Sequence, residues 1–151
     1  MRRLGILAAL IALAIAGCGG APARASTSSA SPVTLPLTDW RAPYASRPAL
    51  RVITGAASYY HDSLAGRPTA SGEPYDPREF TAANRTLPFG TVLRIVRPDT
   101  GASVIVRVND RGPFGRRRRI VDLSRAAAEQ LDMIARGVVQ VRAEVLELGS
   151  R

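Results

Sequence analysis

The sequence predicts a mainly β protein, one small closed barrel with one or two short helices. Three observations predict it. Short apolar runs recur along the second half of the chain, separated by Gly, Pro and Asp turn signals. Several of these runs alternate apolar and polar residues, the pattern of a strand buried on one face. Only one stretch has the composition of a helix, too little to cover both faces of an open sheet.

The elements follow in order. Met1-Arg2-Arg3 is a short positive segment, and Leu4 to Ala16 is apolar apart from Gly5. A membrane-spanning helix needs ~20 apolar residues, whereas the apolar core of a signal peptide has ~7–15. Leu13-Ala14-Ile15-Ala16-Gly17-Cys18 resembles a bacterial lipoprotein cleavage box. The expected processing removes residues 1–17 as a signal peptide and places diacylglycerol and further acyl chains, palmitate among them, on Cys18. Cys18 is the only cysteine, which rules out an internal disulfide framework. Residues 18–50 are rich in Ala, Ser, Thr and Pro and lack periodicity, so they read as a disordered tether. Trp40 and Tyr44 could pack back on the domain, and the sequence does not decide.

Residues 51–148 hold the folded domain. Arg51–Tyr60, Thr91–Arg97, Ser103–Val108, Ile120-Val121 and Val138–Leu146 are the strand candidates. Pro98-Asp99-Thr100-Gly101 joins the second and third as a hairpin turn. Val139, Val141, Ala143 and Val145 share one face of the last strand. Arg125 to Leu131 are good helix formers, with Asp122 or Ser124 as cap and Asp132 able to end the helix in a left-handed conformation. Pattern alone does not choose the strand topology.

The formal net charge is +9, and every basic residue is Arg. In a cytosolic chain such a balance would suggest nucleic acid; the export signal argues against that partner. Anionic partners in an envelope are acidic phospholipid surfaces and the carboxylates of peptidoglycan. Arg116-Arg117-Arg118-Arg119 is the densest cluster, either a solvated loop or a rim that attracts an anionic polymer.

Three segments carry candidate chemistry. Val108-Asn109-Asp110-Arg111-Gly112-Pro113-Phe114 puts a carboxylate at the end of a β-branched run, just before a turn. An acid there can be held rigidly and still face a groove. If no bulge intervenes, Asp110 continues the apolar face of Val104, Val106 and Val108, and partial burial raises its pKa. Upstream lie Thr69-Ala70-Ser71-Gly72-Glu73 and Leu87-Pro88-Phe89-Gly90-Thr91. Together, from about Gly55 to Leu146, the segments resemble the rare lipoprotein A (RlpA) family of bacterial cell-envelope proteins. That resemblance implies a six-stranded double-psi β-barrel with a groove across one face, shared with expansin-like relatives. It implies lytic transglycosylation of peptidoglycan between N-acetylmuramic acid and N-acetylglucosamine. The C6 hydroxyl of the muramic acid then attacks its own C1 and leaves a 1,6-anhydro end. Larger family members carry a second, peptidoglycan-binding domain; a chain that stops at Arg151 is expected to hold the barrel without it. The expected location is the envelope, lipid-anchored to the cell membrane or to the inner leaflet of the outer membrane and facing the periplasm. A monomer without cofactor is expected. A non-catalytic glycan-binding lipoprotein is the alternative.

By the same resemblance Asp110 is the acid/base, and Glu73 is a groove carboxylate that orients sugar or stabilises positive charge at C1. Asn84 departs from the family's commoner motif, which has His before the Thr-Leu-Pro-Phe-Gly-Thr segment. An amide can hydrogen-bond a carboxylate or a sugar hydroxyl but cannot transfer a proton. If that His only orients Asp110, Asn can substitute; if it shares proton transfer, this protein is slow or inactive. Arg111, Tyr59 and Tyr60 are expected to bind substrate with Asn84. His61, the only histidine, fits an exposed loop better than the groove. One His and one distant Cys give no metal site.

Overall fold

The computed structural model describes residues 39–115 and 118–150. The segment expected to be a signal peptide, Cys18, the first part of the expected tether and Arg116-Arg117 lie outside the described residues. Six strands, β1 (Arg51–Tyr59), β2 (Thr81–Ala83), β3 (Val92–Val96), β4 (Ser103–Asp110), β5 (Arg119–Leu123) and β6 (Val139–Glu147), close into a barrel in the order β1-β5-β2-β4-β3-β6. The pairs β1·β5 and β2·β4 are parallel and the others antiparallel. This is a double-psi barrel, and closure leaves no strand edge unpaired.

Hydrophobic pattern decides most of the strands. β3 and β4 form the expected hairpin, registered from Val92 opposite Arg107 to Val96 opposite Ser103. In β6 Val139, Val141, Ala143 and Val145 are buried while Gln140 and Arg142 are exposed. Leu146 is buried too, because β6 carries one extra residue against β3 between Val145 and Glu147. The strand missing from the sequence reading is β2. Its three residues, Thr-Ala-Ala, are buried throughout, so neither alternation nor length marks them.

One helix, α1 (Arg125–Gln130), plugs an end of the barrel. Ser124 is the cap: its hydroxyl accepts from Ala127 N–H, and Asp122 stays within β5. Asp132 follows at φ +49°, the left-handed residue that stops the helix. Ala127, Ala128, Leu131 and Met133 join Leu93, Ile95, Val104, Val106, Val108, Val121 and Leu123 in one core. Burying a side chain such as Leu93 contributes ~1.5–3 kcal/mol. Arg97 is 1 % exposed, and its guanidinium donates to the carbonyls of Leu131 and Asp132 and pairs with Asp99. It thereby satisfies backbone acceptors that the end of α1 leaves free.

Residues 39–50, which composition assigns to the tether, are packed against the barrel. A 3-10 turn covers Ala42–Tyr44. Arg94 of β3 donates to the carbonyls of Tyr44, Ala45 and Arg47 and pairs with Glu144. Arg41 lies 3.6 Å over the ring of Phe80 and bonds Gln130, and Leu50 N–H donates to Val145 O. The bonds come from Arg side chains, whose five donors can serve several carbonyls at once, a feature that composition does not register. Removing both grips, Arg41→Ala together with Arg94→Ala, is therefore expected to release this strap with the barrel intact. Fluorescence anisotropy of Trp40, the one tryptophan, should fall; an unchanged value would show that these two arginines do not hold it.

Candidate functional site

The site is built at the end of β4. Val108 pairs with Ala82 and Asp110 with Ala83, so Asn109 is an extra residue in β4. A bulge of this kind re-aims the side chains that follow it. Asp110 therefore does not continue the apolar face of Val104, Val106 and Val108; it turns to the side of Arg107 and Asn109 and is half-buried. Its Oδ2 accepts from the Tyr60 hydroxyl at 2.5 Å, and its Oδ1 accepts from Ala70 N–H at 2.7 Å and Arg111 N–H at 2.8 Å.

The loop Thr69–Glu73 lies over this strand end. Thr69 N–H donates to Glu73 O, Gly72 N–H to Thr69 O, and Ser71 N–H to Asn109 O. Gly72 has φ +90°, which closes the turn and favours glycine. The loop brings Glu73 onto β4, where Arg107 grips both carboxylate oxygens at 2.8 and 2.9 Å and Asn109 Nδ2 donates at 3.0 Å. These bonds, Arg107 first and Asn109 second, hold the Glu73 carboxyl below its ordinary range. So one loop carries Glu73 and also bonds Asp110, and the two carboxylates belong to one cluster.

The two tyrosines of β1 and its extension separate. Tyr60 packs on Tyr75, ring centroids 4.9 Å apart, and bonds Asp110. Burial, then the hydrogen bond to Asp110, raises its pKa strongly, so the phenol keeps its proton. Tyr59 points instead to the helical end, where its hydroxyl donates to Ile134 O. This is the alternation of a strand, and it removes Tyr59 from the group around Asp110.

Asn84 and Arg111 act on the main chain. Asn84 is 8 % exposed; its Oδ1 accepts from the N–H groups of Thr86 and Leu87, and its Nδ2 donates to Ile120 O. Its side chain does not bond the Asp110 carboxylate; its backbone N–H donates to the Asp110 carbonyl. Arg111 donates to the carbonyls of Asn84 and Leu87 and lies 3.7 Å over the Phe89 ring. Both side chains, expected to bind substrate, buttress the loop beside Asp110. Phe114 is 74 % exposed. His61 is exposed, and its Nδ1 accepts from Ser63 N–H.

Residues 52–143, more than half of the chain, match the lytic transglycolase family. The chain belongs to that family. Within it, 87 residues are 58% identical to the probable endolytic peptidoglycan transglycosylase RlpA of Treponema pallidum (strain Nichols), covering 58% of this chain and 27% of that protein. The endolytic peptidoglycan transglycosylase RlpA of Haemophilus influenzae is 48% identical over 94 residues, 62% of this chain and 32% of that one. The chain thus spans about a quarter to a third of the length of these relatives. Among solved structures, the Streptomyces papain inhibitor superposes with a TM-score of 0.53 at 27% identity, covering 67% of this chain and 99% of that one. The expansin of Clavibacter michiganensis superposes at 0.52 with 19% identity, covering 67% and 53%, a likeness of fold.

The sequence reading of this lytic transglycolase domain missed a further polar group beside Tyr60. Asp122 Oδ1 accepts from the Ser58 hydroxyl and, at 3.1 Å, from Arg119 Nη1, which also donates to Ser58 Oγ. Asp122 reads in sequence as a possible helix cap, and nothing in the spacing marks its pairing with a serine 64 residues away.

Glu73 gives the site a pH dependence with a definite sign. Its pKa is lowered on folding, so its contribution to stability is fully present above the ordinary value of 4.5 and is lost as pH falls through the lowered value. The pair with Arg107 is partly exposed, so the effect is at most about 1 kcal/mol. Glu73→Gln should lower stability at neutral pH by that order and flatten the loss below 4.5 in urea titrations. An unchanged acid slope would show that Arg107 does not engage Glu73.

Proposed function

We propose that this protein is an endolytic peptidoglycan transglycosylase that cleaves glycan strands between N-acetylmuramic acid and N-acetylglucosamine and leaves 1,6-anhydro ends. The observation that carries the reading is the joint placement of Asp110 and Glu73 by one loop on the bulged end of β4, within a domain of the lytic transglycolase family. Asp110 serves as acid and base: it protonates the glycosidic oxygen and then takes the proton of the C6 hydroxyl. Glu73, held as a carboxylate by Arg107, stabilises positive charge at C1. Tyr60 fixes the Asp110 carboxyl, and Arg111 and Asn84 fix the chain around it. The exposed Phe114 ring offers an apolar face to a sugar.

The protein acts in the cell envelope as a monomer, exported by residues 1–17 and anchored through lipid on Cys18. Digestion of purified glycan strands, followed by mass spectrometry, is expected to show 1,6-anhydro ends. Bound strands without such ends would leave only a glycan-binding module. Cys18→Ala should release the folded domain from membranes, because acyl chains contribute ~0.8 kcal/mol per buried CH₂. Unchanged retention, with no lipid mass on the wild-type protein, would overturn the anchor.

A further inference from the structure

Between the strap and the barrel lies an open cleft of about 750 Å³, within the ~300–1,000 Å³ of sites that hold small ligands. Trp40 and Tyr44 stand on its strap wall, and Glu79, Phe80 and Arg107 on its barrel wall. Arg107 belongs to two places at once: it lines this cleft and grips both oxygens of Glu73. It also precedes Asp110 on β4, by no more than roughly 10 Å at ~3.3 Å per residue. The cleft therefore opens beside the pair of carboxylates. Trp40 is 41 % exposed. Tyr44 meets its ring edge-on, centroids 6.2 Å apart and planes at 70°. Its chain neighbours Asp39 and Arg41 pair with each other, and Arg41 is seated on Phe80. The indole is thus steadied on a fixed segment while much of it stays uncovered. Such a ring offers the C–H face of a pyranose a packing surface whose ordering has already been met by the fold. The charges narrow the choice of sugar. Each arginine of the lining is matched by a carboxylate: Arg41 by Asp39, Arg78 by Asp76 and Arg107 by Glu73. None is left over for an acidic ligand. Glu79 is exposed and has no ion pair among the described residues, so its carboxylate can accept from sugar hydroxyls and from the N–H of an N-acetyl group.

Resting on the transglycosylase reading, we propose that this cleft is a subsite for an uncharged N-acetylglucosamine ring of the bound strand, packed on Trp40 and hydrogen-bonded by Glu79. The muramic acid ring carries a lactyl carboxylate, for which the lining holds no unmatched cation; the N-acetylglucosamine beside it carries none. The strap precedes residues 52–143, the part matched to the family, so this wall comes from a segment outside the matched domain. Seated on the barrel, the strap lengthens the surface that a strand meets beyond Glu73. The subsite takes no part in making or breaking bonds. Its grip on the strand is the same before and during the reaction, so its loss raises KM and leaves kcat in place.

Trp40 is the one tryptophan, so its emission reports on this cleft alone. Stopped-flow mixing of wild type with purified glycan strands is expected to shift that emission saturably, before turnover. A soluble tetramer of N-acetylglucosamine, which has no carboxylate, should do the same at millimolar concentration. A shift given only by strands that contain muramic acid would overturn the choice of ring. Trp40→Ala is expected to raise KM for strands about 10-fold, the order that one aromatic contact contributes, with kcat changed by no more than about twofold. Trp40→Phe should recover most of the loss, and the double variant Arg41→Ala/Arg94→Ala, which releases the strap, should match Trp40→Ala. An unmoved KM in Trp40→Ala, or an unmoved emission while sedimentation shows strands bound, would overturn the subsite and leave the transglycosylase reading standing. The reverse result separates the two claims as well: an emission that responds to strands in a wild type that makes no anhydro ends would keep the subsite and end the transglycosylase reading. If circular dichroism shows Trp40→Ala unfolded, the wild-type emission titration decides by itself.

Discussion

Asp110→Asn is expected to stop strand cleavage, lowering turnover by ~10²–10⁴-fold, and to leave strand binding intact. The substitution disturbs little else. The amide oxygen can still accept from Ala70 N–H and Arg111 N–H, and the amide nitrogen can donate to the Tyr60 hydroxyl, which reverses the direction of that one bond. The bulge, the loop 69–73 and the Tyr60–Tyr75 contact all keep their partners. What is lost is a group that can give and take a proton. Glu73→Gln should cost less, because Glu73 is committed to Arg107 and Asn109 and contributes charge rather than a proton. The rate of anhydro-end formation on one glycan preparation decides between them. Wild-type turnover by Asp110→Asn would exclude Asp110 as the acid.

Asn84→Ala is expected to lower stability by about 2–4 kcal/mol, since a buried polar group left without a partner costs ~1–3 kcal/mol. Three backbone groups depend on this amide. Leu87 N–H is buried and has no water to turn to, while Thr86 is exposed and can be solvated. The Ile120 carbonyl is partly buried and loses its side-chain donor. Arg111 bonds the carbonyls at either end of this turn, so the loss reaches the segment that follows Asp110. Urea unfolding measures the effect, and a loss below about 1 kcal/mol would show that the turn holds without the amide.

Asn84 also shows where reading a sequence stops. That Asn84 stands before a turn was legible. Whether its amide faces a sugar or the backbone was not, because Asn before a turn suits both. The strands that alternate were legible, as were the 98–101 hairpin and the left-handed end of the helix at Asp132. Those features follow from neighbours in the chain. The bulge at Asn109 was not legible: it is fixed by pairing with β2, a strand too short and too uniformly buried to leave a pattern. The same gap hid Asp122, whose neighbourhood exists only once β5 pairs with both β1 and β2.

The docking of residues 39–50 sets a working radius. With Asp39 and Arg41 already fixed to the barrel, residues 19–38 alone separate the proposed lipid on Cys18 from the folded surface. At ~3.3–3.6 Å per fully extended residue, those twenty residues span no more than roughly 70 Å. On the proposed reading, a barrel moored in this way reaches only glycan within that distance of its membrane. Releasing the strap would lengthen the mooring by about a dozen residues, or roughly 40 Å more. If the proposed anchor and activity hold, the grip of Arg94 on the strap also limits how deep into the wall such a barrel reaches.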